Sequence, residues 1–304
     1  MNKKIIIAFS LILILIVISG AYKLANRSQF IANNSSKVQI VAAENFYGDV
    51  AKQLGGSHVS VVSILSDPNV DPHEYESNVS DAVSVSRANI IIENGLEYDT
   101  WMDKLLSASP SKNRIVLVEG KIAQNPLPDN PHVWYGVNNM PAIAESITNS
   151  LKKIDPADSS IFDTNLAAFE ASLSLLTQKL NTVKAKYNGV PVGLTETIYL
   201  YQTGPIGLSV LTPLEFERAI AEGNDPSVAD VKTANDQVVG KKIKVLIYNA
   251  QTITPITTNL QNEAKANNIP VVPVSETMPQ NKTYQTWMMD QLNSLQQALQ
   301  QVVQ

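Results

Sequence analysis

The chain contains no cysteine. That absence removes disulfides, thiolate metal sites and cysteine nucleophiles together, and it suits a protein exported to a place where a free thiol is a liability. Histidine is almost as scarce, with three in 304 residues. An excess of positive charge is lacking too: 23 Lys and Arg face 28 Asp and Glu, a formal charge of −5. A nucleic-acid partner, which calls for a basic stripe, is therefore not expected. Low-complexity tracts are also missing. What remains, 44% hydrophobic and 17% charged residues, is the composition of a chain able to bury substantial cores. Its length suits two lobes of ordinary size.

The N-terminus, MNKKIIIAFSLILILIVISGAYK, places Lys3 and Lys4 before an unbroken apolar run from Ile5 to Ile18 and then small residues. This is the layout of an export signal. The run is shorter than the roughly 20 residues of a comfortable membrane span. Ser19 and Ala21 supply the small-x-small pattern of a cleavage site. Ile18-Ser19-Gly20-Ala21 has the form of a bacterial lipoprotein box with alanine where the lipidated cysteine belongs, and without that thiol no lipid can be attached. Residues 1–21 are expected to be a signal peptide or signal anchor, and 22–37, with its ANNSS, a flexible polar tether. Release after cleavage and retention by an uncleaved helix both remain open.

Past the tether, short β-rich runs alternate with helix-compatible segments. In the first half the runs are VQIVAAE (38–44), VSVVSIL (59–65), NIIIENG (89–95) and RIVLVEG (114–120), separated by stretches such as FYGDVAKQLGG and YDTWMDKLLSA. The second half continues the scheme with VPVGLTE (190–196), IKVLIYNA (243–250) and IPVVPVSE (269–276). Strands that read as nearly continuous apolar runs between helices indicate buried, mostly parallel sheets. The expected fold is α/β, two Rossmann-like lobes at 38–154 and 189–304.

One long rigid helix is expected to join them over 155–188. Asp155-Pro156-Ala157-Asp158 offers an N-cap, a proline at the first helical position and an acidic first turn. Apolar residues then fall at Phe162, Leu166, Phe169, Leu173, Leu176, Leu180, Val183 and Tyr187, in alternating steps of four and three. Asn188-Gly189-Val190-Pro191 supplies the stop. At 1.5 Å per residue the rod is roughly 45 Å long, enough to run along both lobes. The same stripe would also serve as a coiled-coil seam. Few opposite charges flank it, however, and packing within the chain, as a monomer, is the expectation.

Two of the three histidines sit in matched settings. His73 lies in DPNVDPHEYES (67–77) and His132 in DNPHVWYG, each directly after a proline and each in a loop that follows a strand. In parallel α/β sheets such loops build the ligand site. A preceding proline restricts the backbone and lowers the entropy cost of aiming the ring. Imidazole nitrogen is a good ligand for Zn²⁺ or Mn²⁺, although a lone histidine among aspartates is commonly a surface hydrogen-bonding residue. His58, at the opening of a strand, stands at the opposite end and reads as structural.

The ordered series DPHEYE, ANIIIENGLEYDTWMDKLL, NPHVWYG and IDPADSSIFDTNLAAFEASL resembles the substrate-binding proteins of bacterial zinc and manganese ABC importers, from about residue 38 to the C-terminus. The resemblance implies one divalent ion, Mn²⁺ or Zn²⁺, held between the lobes by two side chains from each and handed to a membrane permease. It maps the first-lobe ligands onto His73 and His132. The third falls on Glu196 in GLTETIYLY and the fourth on Glu276 in VVPVSETMP, where the family usually has aspartate. Both glutamates end apolar strand runs. Two imidazoles and two carboxylates give a divalent ion a neutral shell. The carboxylates, with no histidine-rich acidic loop of the kind many zinc-type relatives carry, tilt the reading toward Mn²⁺ without excluding Zn²⁺.

Asp67, Asp71, Glu74 and Glu76 surround His73 and could steer a cation or hold an imidazole N–H. Trp134, Tyr199 and Tyr201 could wall the site from water. The stretch TPLEFERAIAEGNDPSVADV reads as a capped helix and a loop, with NDPS starting the next helix. An enzyme is not expected. The alternative from another class is a secreted metallohydrolase using the same His/Glu site, with Glu74 or Glu97 as general base, but no H-E-x-x-H helix accompanies it. A metal-binding surface adhesin is compatible with the transport reading.

Overall fold

Residues 37–302 are described in the computed structural model, apart from 69, 71, 73 and 74. The signal expected at 1–21 and the tether up to 36 lie outside the described residues, as do His73, Asp71 and Glu74.

The first lobe is built on β1 (Val38–Glu44), β2 (Val59–Leu65), β3 (Ile90–Glu93) and β4 (Ile115–Val118), all parallel, in the order β2-β1-β3-β4. The interior strands β1 and β3 are buried almost throughout, which is why they read as continuous apolar runs. The outer strand β2 is half-buried along most of its length. Helices α1 (Asn45–Gly55), α2 (Val79–Arg87), α3 (Thr100–Ala108), α4 (Glu119–Ile122) and α5 (Met140–Ile154) complete the lobe. Asn78 starts α2 with a reciprocal capping box: its side chain accepts from Ser80 and Asp81, and Asp81 accepts from the Asn78 N–H at 2.7 Å. Gly48 lets α1 lie close on the sheet, since a Cβ there would stand 2.0 Å from Ser63 Oγ.

The second lobe repeats the plan with β5 (Pro191–Leu194), β6 (Ser209–Val210), β7 (Val245–Asn249) and β8 (Val271–Val274), parallel, in the order β6-β5-β7-β8. Its helices are α7 (Leu200–Ile206), α8 (Leu214–Ala221), α9 (Val228–Val239), α10 (Pro255–Ala266) and α11 (Tyr284–Val302). The NDPS segment starts a helix as expected: Ser227 accepts from the Asp230 N–H at 3.1 Å and caps α9. In both lobes the chain runs from an interior strand to one edge, then crosses to the other side. The carboxyl ends of the strands at that switch open the crevice where ligands bind in such sheets.

The joining helix α6 (Ser159–Tyr187) is 29 residues long. It begins later than the cap signal at Asp155 implies, because Pro156–Asp158 form a tight 3₁₀ turn and neither aspartate side chain caps. The Asp158 carboxylate is engaged elsewhere, 2.7 Å from His58 Nδ1, while Phe162 meets the His58 ring edge-on. His58 thus ties the start of the helix to the start of β2, a structural role. Every residue of the expected stripe is buried except Leu166, which is half-buried. The stripe packs against α1, α5, α7 and α11 of its own chain, so its apolar face is used within the molecule. One hydrophobic core runs from Ile40 and Phe46 through Phe162 and Leu176 to Val245 and Leu292, joining both lobes and the helix.

Candidate metal centre

Glu196 and Glu276 follow directly on β5 and β8, and His132 lies in the loop between α4 and α5. His132 is fully buried. Asn130, two residues earlier, accepts from the His132 backbone N–H at 3.1 Å and faces Nδ1 at 2.8 Å through the same Oδ1. A carboxamide oxygen can only accept, so Nδ1 carries the proton and Nε2 is the basic nitrogen. Trp134 and Tyr98 pack against the ring with centroids 5.2 and 5.8 Å away. The loop is braced from β3: Asn94 Nδ2 donates to the Pro131 carbonyl at 2.9 Å, and Tyr47 donates to Asn94 Oδ1 at 2.7 Å.

Glu276, from the other lobe, is also fully buried. Its Oε1 accepts from Asn249 Nδ2 at 2.5 Å and its Oε2 from the Tyr98 hydroxyl at 2.8 Å. Oε2 lies 3.7 Å from His132 Nε2. That is too long for a hydrogen bond. Two atoms each about 2.1 Å from one ion, at a near-tetrahedral angle, stand about 3.4 Å apart. At 3.7 Å the pair stands a little wider than that.

Glu196 is buried in extended backbone between β5 and a 3₁₀ turn at Thr197–Tyr199. The next residue, Thr197, receives Asn130 Nδ2 on its carbonyl at 2.8 Å, so the Glu196 loop is joined directly to the His132 loop. Glu217 of α8 is buried close by. Burial, and then the charge of Glu196, push its carboxyl well above the usual carboxylate range.

Of the three aromatics expected to wall the site, Trp134 flanks His132 and stacks on Phe46 at 4.4 Å. Tyr201 accepts from the Leu127 N–H at 2.8 Å and donates to the Asn130 carbonyl at 3.1 Å. Tyr199 packs on Tyr135. Asp67 and Glu76 are exposed to solvent. A cleft of about 570 Å³ includes His132, Tyr98, Glu97, Thr197 and Arg218 in its lining. Asp129 and Glu215 each meet the Arg218 guanidinium at 3.1 Å, offsetting its charge in the wall of the cleft.

Tyr98, Asn130 and Asn249 escaped the reading of the sequence. Each acts through a partner distant in the chain or through a common amide, and no local pattern marks them.

Behind the His132 brace lies a group of buried acids at the carboxyl ends of β1, β3 and β4. Burial raises Glu44 and Glu119 well above the ordinary range, and the neighbouring Asp99 raises Glu44 further. Asp99 is raised by burial as well, although the backbone N–H groups of Asn94 and Gly95 hold it at 2.6 and 2.7 Å. Glu93 is pushed up to about 7 by burial first, then by the charges of Asp99 and Asp103.

Two parallel α/β lobes, a long helix joining them and a histidine–carboxylate pair meeting across the crevice define the class of two-lobed substrate-binding proteins. The family model for the periplasmic component A of the zinc-uptake complex matches residues 40–298, and the chain belongs to that family. Among relatives, it is 27% identical over 196 residues to a metal ABC transporter substrate-binding lipoprotein, ScbA, of Streptococcus cristatus, covering 60% of this chain and 61% of that one. It is 26% identical over 196 residues to the manganese ABC transporter substrate-binding lipoprotein scaA of Streptococcus gordonii, with the same coverage. The matched part thus spans 61% of the length of each. The periplasmic zinc-binding protein TroA of Treponema pallidum shares the fold, with a TM-score of 0.73 at 18% identity over 87% of this chain and 99% of that one.

Proposed function

We propose that the chain is the extracytoplasmic receptor of a metal importer. It captures one divalent transition ion, Mn²⁺ or Zn²⁺, between its lobes and delivers it to the membrane permease of an ABC transporter. The observation that carries this reading is the meeting of His132 Nε2 and Glu276 Oε2 at 3.7 Å, from opposite lobes and both fully buried. His73 and Glu196 complete the set, and the ion is cargo. Two neutral imidazoles and two carboxylates balance a divalent charge, so the filled site adds no net charge to a buried place.

The relatives' names support the choice of metal: scaA is named for manganese and TroA for zinc. Burial of His132, Glu196 and Glu276 favours a held cargo over a metallohydrolase, which needs an open coordination position for water. The receptor works as a monomer without nucleic acid. It is exported to the outer face of the cytoplasmic membrane. The streptococcal relatives are named lipoproteins, whereas Ala21 stands here at the position a lipid would need, so release after cleavage or retention by the apolar segment replaces a lipid.

Metal analysis of the purified protein after loading tests the reading, with Mn²⁺ and Zn²⁺ titrated in competition. One ion per chain is expected. Saturation at a hundred times Kd should stabilise the fold by about 2.7 kcal/mol, and His132→Ala should abolish that gain. No bound metal after loading, or an undiminished gain in the variant, overturns it.

A further inference from the structure

Among the described residues, two side-chain amides tie a histidine-bearing loop of one lobe to a glutamate-bearing loop of the other. Gln251, in the loop between β7 and α10, accepts through Oε1 from the backbone N–H groups of Glu276 at 2.6 Å and Thr277 at 3.1 Å. Its Nε2 donates to Thr277 Oγ1 at 2.9 Å and, across the crevice, to the Val70 carbonyl at 2.8 Å. Val70 lies in the loop that carries His73. Asn130 repeats the arrangement from the other lobe. Its Oδ1 holds the His132 backbone and ring, and its Nδ2 donates to the carbonyl of Thr197, next to Glu196. In both cases the acceptor end fixes a ligand loop of its own lobe while the donor end reaches the opposite lobe.

A carboxamide is suited to this because one planar group offers an acceptor and a donor together. The Asn130 bond is buried, where a broken hydrogen bond leaves its partners unsatisfied. Parting the lobes as whole bodies would disturb far more. Asp49 of α1 accepts from the Tyr284 N–H at 2.8 Å, Gln53 and Gln285 are joined at 3.0 Å, and one apolar core is continuous through both lobes. Local parting of the ligand loops breaks the two amide bridges together with the Tyr98 bond to Glu276, the Tyr201 bond to the Asn130 carbonyl and the Asn45–Met278 pair, and leaves the shared core intact.

We infer that Gln251 and Asn130 are positioning residues that act as paired clasps: they hold the ligand loops of the two lobes together over the bound ion, and breaking their cross-lobe hydrogen bonds gates its release. The clasp deepens the metal-receptor reading and rests on it. Gln251 and Asn130 touch the ligand loops, whereas the ion itself is held by the four ligands.

The full chain, loaded with Mn²⁺ or Zn²⁺ and mixed with excess EDTA, gives the test. Gln251→Ala and Asn130→Ala should each release metal roughly five- to tenfold faster, the ratio expected for one lost hydrogen bond, with little change in the rate of uptake. Gln251→Glu keeps the acceptor for Glu276 and Thr277 but replaces the donor to Val70, so it should release metal as fast as Gln251→Ala. A release rate at the wild-type value in both Gln251 variants overturns the clasp.

Amide exchange of the metal-free chain decides the same point without metal. The Val70 amide, which donates to the Asp67 carbonyl at 3.2 Å, should exchange faster in both Gln251 variants. The Glu276 and Thr277 amides should exchange faster in Gln251→Ala alone. Wild-type exchange at Val70 in both variants overturns the clasp. Failure of the unsubstituted chain to take up either ion would overturn the receptor reading instead, and the exchange result would still stand by itself.

Discussion

Glu93 shows how much one buried carboxyl can weigh on the balance. It ends β3 with its side chain buried, facing the charges of Asp99 and Asp103, with Lys121 only partly offsetting them. Its pKa in the folded chain is about 7 against an ordinary 4.5. The folded state therefore holds this proton more tightly than the unfolded state does. The associated stability is fully present below the unfolded value and is lost as pH rises through 7. The shift corresponds to on the order of 3 kcal/mol. Glu93→Gln removes the titrating group, so the variant should gain on the wild type progressively from mildly acidic to mildly alkaline pH. Urea unfolding at a series of pH values measures this, and a gap that does not widen with pH contradicts the assignment.

The residue scale is also where the sequence was least legible. His132 stood out because histidine is rare and its setting repeats. Tyr98 did not, since its role depends on Glu276, 178 residues away. Asn130, Asn249 and Gln251 are ordinary amides until the loops that hold them are folded side by side.

At the scale of elements, legibility followed length and periodicity. The 29-residue helix α6 announced itself by its apolar stripe and by the stop at Asn188-Gly189, and only its first turn differed, because His58 takes the Asp158 carboxylate. β1 and β2 match their apolar runs end to end. β3, β4, β5, β7 and β8 are shorter than their runs. β6, two residues long, carries no signal of its own. The weight carried by α6 can be measured. Leu176 is fully buried on the stripe, so Leu176→Ala should destabilise the chain by about 3 kcal/mol through lost burial and the cavity left behind. Chemical denaturation reads this directly, and a loss under about 1 kcal/mol would mean that the seam re-packs around the gap.

For the molecule as a whole, the continuous core has a thermodynamic consequence. Two lobes with separate cores would unfold in separate steps. Here Ile40, Phe162, Leu176, Val245 and Leu292 belong to one cluster, and side-chain bonds such as Tyr135 to the Ser275 carbonyl at 2.6 Å and Tyr284 to the Trp134 carbonyl at 2.7 Å stitch the lobes together. Calorimetry of the metal-free protein should show one transition with calorimetric and van't Hoff enthalpies in agreement. Two resolved transitions would show that the lobes are energetically independent.

Apolar periodicity and strand runs between helices determined the α/β class and the joining helix. These are local properties, written in steps of two or of three and four residues, and they need no knowledge of the partner. Which carboxylate meets which imidazole, how the ring of His132 is held, and which amides bridge the crevice were decided only by the tertiary structure. Hydrogen bonds between loops of different lobes depend on where two distant turns end up in space, and that placement comes from packing both sheets against one helix and one core.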